Sequence, residues 1–192
     1  MLTVAKDVIG KVLVQRTPEG VLAARVVEAE AYRGPEDRAA HSWAGRRTAR
    51  TEAMFGPPGF AYVFFVYGMH WHLHLVTTRE GAPHAVLLRA LEPLVGAHIM
   101  AARRKLPETN VNLCNGPGKL CQAFGIGREH YGVDLTGGSL FLSDGPAPPG
   151  KLGRSARIGV DYAEDWADKP WRFFELGNRW VSRGRPSSSQ PR

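Results

Sequence analysis

Residues 26–50, VVEAEAYRGPEDRAAHSWAGRRTAR, are the densest run of reactive side chains in the chain. If Val26–Tyr32 is a β-strand, Glu28, Glu30 and Tyr32 have one parity and point to one face, with the small residues Ala29 and Ala31 between them. A single glutamate in such a strand reads most simply as a polar side chain on a solvated edge. This strand, however, runs into Gly34-Pro35 and on to His41 and a run of arginines. Ionisable groups at a strand end beside a long polar loop are where catalytic acids and bases sit. Glu28 and Glu30 are the candidates here.

A second cluster, FAYVFFVYGMHWHLHL at residues 60–75, is aromatic and rich in histidine. Tyr62 and Phe64 share one strand face, an arrangement that fills cores more often than it binds ligands. Tyr67 stands next to Gly68 at a hairpin tip, where a tyrosine protrudes. Protruding aromatic side chains on basic proteins serve as wedges between bases. His70, His72 and His74 alternate onto one face, and three histidines suit a catalytic zinc or a non-haem iron. Along one strand, however, the outer pair is about 13 Å apart, too far to share an ion without a bulge. Adjacent pairs can still do so, and packing within a pocket is the other reading.

The elements that must position these groups follow from pattern. Ile9–Gln15 and Gly20–Tyr32 read as strands around the turn Pro18-Glu19-Gly20. Residues Pro35–Ala53 are polar and dense in arginine, a long surface excursion with short helical turns. Strands are expected at Phe60–Tyr67, His70–Thr78 and Ala85–Leu91, the last closed by Glu92-Pro93. Leu94–Lys105 has helical spacing and a basic end. Asn115 is placed to cap a short helix with Pro117 in its first turn and Gly125 near its end. Further short strands are expected around Ser139–Ser143, Ala156–Val160 and Trp171–Glu175. The pattern is α+β: a single domain, residues 1–183, with a curved antiparallel sheet surrounded by helices and a protruding hairpin. Residues 184–192, GRPSSSQPR, have the composition of a disordered tail.

Composition narrows the class. The chain has 192 residues, 43% of them apolar, ordinary for a folded domain. It shows no apolar stretch long enough to span a bilayer and no signal peptide at its start. Two cysteines, Cys114 and Cys121, neither close a zinc site nor make a disulfide framework. An intracellular, cytoplasmic protein is expected. The net charge is +7, and of the 25 basic residues 19 are arginine. Arginine binds phosphate bidentately, so nucleic acid is the first partner to consider. A GC-rich genome that writes Arg for Lys is the plain alternative.

Taken in order, EAEAYRGPEDRAAHS, RRTAR, YVFFVYGMHW, VLLRALEP, NGPGKLCQAFGI and RIGVDYAEDWADKPWRF closely resemble the alkyladenine (3-methyladenine) DNA glycosylases of base-excision repair. The likeness runs from about Val4 to Ser182, and the combination of blocks is specific where any one alone is weak. The resemblance implies that Glu30 is the general base that activates the attacking water, helped by Arg89 and the backbone of Ile158. It implies that Tyr32, His41 and Phe64 sandwich a flipped base, Phe64 standing where the family more often has Tyr. Tyr67 would enter the duplex in place of that base, and Arg46 and Arg50 would lie near phosphates. The fold implied is one α/β domain without metal or cofactor. The partner is double-stranded DNA carrying damaged purines, acted on by a monomer and, in a bacterium, at the nucleoid.

Two departures stand out. His74 occupies a place where the family usually has Asn, whose amide abuts the purine and helps exclude guanine. An imidazole titrating near neutrality there would tie base preference to pH. The segment before Val4 is also very short, which puts a first helix in doubt.

The chemistry is coherent. A base in a duplex must be flipped out at a cost of a few kcal/mol. Alkylation at N3 or N7 makes the purine a cation, so stacking in an aromatic pocket gains on the order of 1–2 kcal/mol. The same charge makes it a good leaving group, while a neutral lesion such as hypoxanthine must be protonated to depart. No lysine falls at a matching catalytic position, which fits an enzyme that leaves an abasic site and no strand break. Two rivals remain. A sequence-tolerant nucleic-acid-binding module would need no Glu30, and a zinc deaminase would need the paired cysteines and His-x-Glu pattern that this chain lacks.

Overall fold

Val12–Thr17 (β1) and Gly20–Arg33 (β2) form the first hairpin, paired from Thr17↔Gly20 to Val12↔Arg25. After the long excursion come Ala61–Val66 (β3), His70–Val76 (β4) and His84–Val95 (β5), then Leu140–Ser143 (β6), Leu152–Ser155 (β7) and Arg172–Glu175 (β8). All pairings are antiparallel, in the order β3-β4-β5-β2-β1-β6, with β8 joined to β2 and β7 to β8. This computed structural model describes residues 1–182; the expected tail and its boundary lie outside them.

The placement of β2 explains the site. One of its edges is covered by β5 from Ala23 to Arg33, while the other is divided between β1 and, at Glu28–Glu30, β8. Glu28 and Glu30 therefore sit inside the sheet and not on a solvated edge. Two register shifts against β5 flank Glu28, the kind of bulge that re-aims side chains beside active sites.

Alternation along the four strands β2 to β5 then separates core from cavity. Val63, Leu73, Val86, Leu88, Ala29 and Ala31 belong to the main hydrophobic cluster. Their neighbours of opposite parity, Phe64, His72, His74, Leu87 and Arg89, line a cavity on the other face. Leu2–Asp7 (α1), Ala97–Arg104 (α2) and Pro117–Phe124 (α3) supply further core residues such as Ala5, Met100 and Phe124. Among the described residues no helix is long and apolar enough to cross a membrane.

Several expectations need correction. Strand β5 does not close at Glu92-Pro93; Pro93 pairs with Ala24 at a register shift, where its missing N–H is tolerated. Because Leu94 and Val95 stay in the strand, α2 starts only at Ala97, after Gly96 with φ +74°. Asn115 does not cap α3. Gly116 holds that position, and the Asn115 side chain accepts from Lys119 Nζ at 2.8 Å instead. Residues 156–160 form no strand; β7 ends at Ser155, and Arg157 is drawn into the interior. The short start does carry a helix, α1.

The turn that follows β2 is tightly wedged. A Cβ on Gly34 would lie 1.8 Å from Ser42 Oγ and 2.9 Å from the Pro83 carbonyl oxygen, and Ser42 is itself buried and bonded to that carbonyl. Gly34→Ala is expected to destabilise the protein by about 1–3 kcal/mol, the range for overpacking, read from the urea midpoint at unchanged slope.

Candidate active site

The cavity holds about 400 Å³ and opens beside the β3–β4 hairpin. Beneath it lies Glu30, with no exposed surface. Its Oε2 accepts from Tyr32 Oη at 2.8 Å and Arg89 Nη1 at 3.2 Å, and its Oε1 accepts from the Ile158 backbone N–H at 2.8 Å. A carboxylate offers about four acceptor sites, so one stays available to a water. Tyr32, Arg89 and Ile158 all line the cavity, which puts the carboxylate one layer below its surface.

Glu28 has a different task. It accepts from Arg89 Nε at 2.9 Å, Arg172 Nε at 2.7 Å, and the Ser182 N–H and Oγ at 2.6 and 2.8 Å. Fully bonded and enclosed, it aims Arg89 at Glu30, the carboxylate whose three donors all line the cavity. The carboxylates beside it push the Arg89 guanidinium further above its ordinary range, against the opposing effect of burial.

Arg157 was not singled out by sequence. It is fully buried, pairs with Asp37 at 2.5 and 2.9 Å, and donates to the carbonyls of Ala31 and Trp166. Its guanidinium lies 4.7 Å from the centre of the Tyr32 ring. It therefore backs Tyr32 and fixes the loop whose next residue, Ile158, donates to Glu30. The available signal was an acid in GPED and a base in RIGV, two charges in otherwise tight turns. Tyr32 itself stays a phenol, because burial and then the Glu30 charge push its pKa well above 10.

The facing wall is a stack. His41 lies on Phe64 with ring centres 3.8 Å apart and planes 26° from parallel, and Arg50 covers Phe64 at 4.2 Å while donating to the Phe65 carbonyl. His41 Nδ1 is 2.9 Å from Tyr62 Oη. Tyr62 was read as a strand-face aromatic and is a buried anchor for this wall.

Of the three alternating histidines, His72 and His74 line the cavity, whereas His70 is exposed and rests against Gly118 of α3. Among the described residues no three His, Cys, Asp or Glu side chains are grouped to hold a metal ion. Burial, and then Arg50, lowers the His41 pKa to about 4. Burial, followed by Arg89 and other histidines, lowers His72 to about 3. His74 is pushed well below its ordinary value by burial and by His41 and His72, against the pull of the Tyr62 and His72 carbonyls. The expectation that His74 titrates near neutrality is therefore wrong. The His41, His72 and His74 rings are neutral at working pH.

Tyr67 and Gly68 both have left-handed backbone, φ +52° and +66°, and the Met69 N–H donates to the Val66 carbonyl at 3.1 Å. That turn lifts the Tyr67 side chain to 80% exposure at the rim of the cavity. Arg46 lies apart, in a neighbouring groove with Trp43, Tyr162 and Glu164.

Neutral buried histidines have a stability consequence with a definite sign. The unfolded chain takes up protons below about pH 6.5 that the folded chain refuses until about pH 4, so stability is full above 6.5 and falls as pH drops through that window. Each such histidine contributes about 1.4 kcal/mol per pH unit. Urea midpoints should fall steeply from pH 7 to pH 5, and His72→Cys should make the dependence shallower by about one proton.

Comparison with known proteins identifies the family. The sequence model of the family described as Methylpurine-DNA glycosylase (MPG) matches residues 1–179. A protein of Desulfitobacterium hafniense is 46% identical over 188 residues, covering 94% of this chain and 93% of its own length. One of Clostridium acetobutylicum is 43% identical over 188 residues, with 94% and 92% covered. One of Methanocella arvoryzae is 46% identical over 186 residues, with 96% and 92% covered. Each of the three is named "Putative 3-methyladenine DNA glycosylase". The family model over residues 1–179 and relatives matched along nearly the full chain place this protein in the methylpurine-DNA glycosylase family, hydrolases of the N-glycosidic bond.

Proposed function

We propose that this enzyme flips alkylated purines out of duplex DNA and hydrolyses their N-glycosidic bond with a water activated by Glu30, leaving an abasic site. The observation that carries this reading is the buried Glu30 carboxylate, held by Tyr32, Arg89 and Ile158 directly beneath an aromatic cavity. The purine stacks between Tyr32 on one side and His41 with Phe64 on the other. The C1′–N bond breaks with its electron pair going to the base, which neutralises a cationic alkylpurine. The water oxygen bonds to C1′ and its proton passes to Glu30, whose charge also faces the oxocarbenium-like sugar.

Charge balance favours cationic lesions. The arginine at the cavity floor is compensated by Glu28 and Glu30, and the pocket histidines are neutral, so a positive base meets little repulsion except from Arg50, which lies over Phe64. Neutral imidazoles of this kind cannot hand a proton to a leaving hypoxanthine at neutral pH. Deaminated purines are on this reading the slower substrates. No lysine lines the cavity among the described residues, which supports release without strand cleavage. Tyr67 fills the gap in the stack, and Arg50 and Arg46 meet backbone phosphates. A binding module without catalysis would give Glu30 and its three donors nothing to do.

Glu30→Gln should lower single-turnover release of 3-methyladenine by about 10²–10⁴-fold while binding to lesion-bearing duplex persists. Excision near the wild-type rate would remove Glu30 from the mechanism.

Tyr67→Gly separates wedge from fold. Glycine accepts the left-handed φ without a Cβ penalty, so stability should stay within about 1 kcal/mol of wild type. Excision should fall most for lesions in stable pairs and least for mispaired ones, where unstacking costs less. Equal losses on both substrates would contradict the wedge.

A further inference from the structure

One polar atom at the cavity is used by nothing else in the fold. The His74 side chain is only 5% exposed, and it borders the cavity. Its Nδ1 lies 3.1 Å from the Tyr62 carbonyl oxygen on the paired strand. A carbonyl oxygen can only accept, so in the neutral ring the proton sits on Nδ1 and Nε2 carries a lone pair. Among the described residues Nε2 has no hydrogen-bond partner, yet it is not one of the orphaned atoms sealed inside the protein. It is open to whatever fills the cavity.

The ring cannot easily turn over to offer its other edge. Tyr62 lies 5.0 Å from it centre to centre, and His41 and Tyr32 press edge-on at 6.0 and 6.3 Å. A flip would also break the side-chain bond to the Tyr62 carbonyl. An amide side chain at this position could present its NH₂ or its oxygen by rotation. The tied imidazole presents an acceptor only.

We propose, building on the glycosylase reading above, that His74 Nε2 is a specificity-determining acceptor: the pocket favours purine lesions that turn an exocyclic amino or ring N–H toward it over those that turn a lone pair. In a site this enclosed, two facing lone pairs repel with no water to separate them, whereas a donor completes the one open valence of the wall.

The test uses lesion pairs that differ by one amino group in otherwise identical duplexes. 7-Methylguanine is set against 7-methylhypoxanthine for the 2-amino group, and 3-methyladenine against 3-methylpurine for the 6-amino group. Single-turnover excision of all four is measured with the wild type, His74→Phe and His74→Asn. The wild type should favour the amino-bearing member of at least one pair by about threefold to tenfold, the value of one neutral hydrogen bond. His74→Phe should bring that ratio close to unity, and His74→Asn, whose amide can turn either end inward, should fall between. Each ratio is taken within one protein, so a general loss of activity cancels, and the Asn variant carries the test if the Phe variant does not fold. A wild type without preference, or a preference that both variants keep, overturns the proposal and leaves the glycosylase reading standing. A wild type that releases none of the four lesions overturns both.

Discussion

Two glutamates and two arginines buried together set the terms for the rest of this fold. Taking each charge out of water costs several kcal/mol, and only close, complete bonding offsets it. Glu28 meets that condition with Arg89, Arg172 and the N–H and hydroxyl of Ser182. The arrangement needs β5 on one side of β2 to bring Arg89 and β8 on the other to bring Arg172. Once Arg89 is fixed by Glu28, its second arm reaches Glu30 and balances a carboxylate that must keep acceptor capacity free. The structural glutamate thus releases its neighbour for chemistry, two residues along the same strand.

The second buried pair, Arg157 with Asp37, acts on the loops as the first acts on the strands. It joins the turn after β2 to the segment carrying Ile158, and it sits behind the Tyr32 ring. Glu30, Tyr32 and Ile158 come from two distant parts of the chain. Their common geometry rests on this ion pair and on the close approach of Gly34 to Ser42 and Pro83. Loops tied together by a multiply bonded buried ion pair can be as rigid as strands, which is what a site assembled across them requires.

Much of this was legible in residue order. Parity on β2 put Glu28, Glu30 and Tyr32 on one face, and Tyr67-Gly68 marked a turn that lifts an aromatic ring into solvent. Parity alone could not tell Glu28 from Glu30, because the difference lies in Arg172 and Ser182, whose partners are 144 and 154 residues away. The same blindness to distant partners misread residues 156–160. Their apolar alternation resembles a strand, but Arg157 finds Asp37 in the interior and the backbone bends to let it. Asn115 was read as a helix cap from its local position, and Lys119 captured its side chain instead. The histidine strand was ambiguous for a related reason. Spacing fixes the face a ring points to, while its charge depends on what other strands bury around it.

That last dependence ties function to stability. A pocket for a positively charged base works better the less uncompensated positive charge its own walls carry. Histidines in water are half protonated near pH 6.5, and here burial, together with neighbouring rings and arginines, removes that charge. Neutral imidazoles stack and accept hydrogen bonds, and they leave the negative charge of Glu30 as the field that a developing sugar cation meets. The same desolvation means that the folded state resists protons which the unfolded chain accepts freely. Acid sensitivity is then not a defect of packing but the thermodynamic counterpart of a pocket tuned to cationic purines, since one burial produces both.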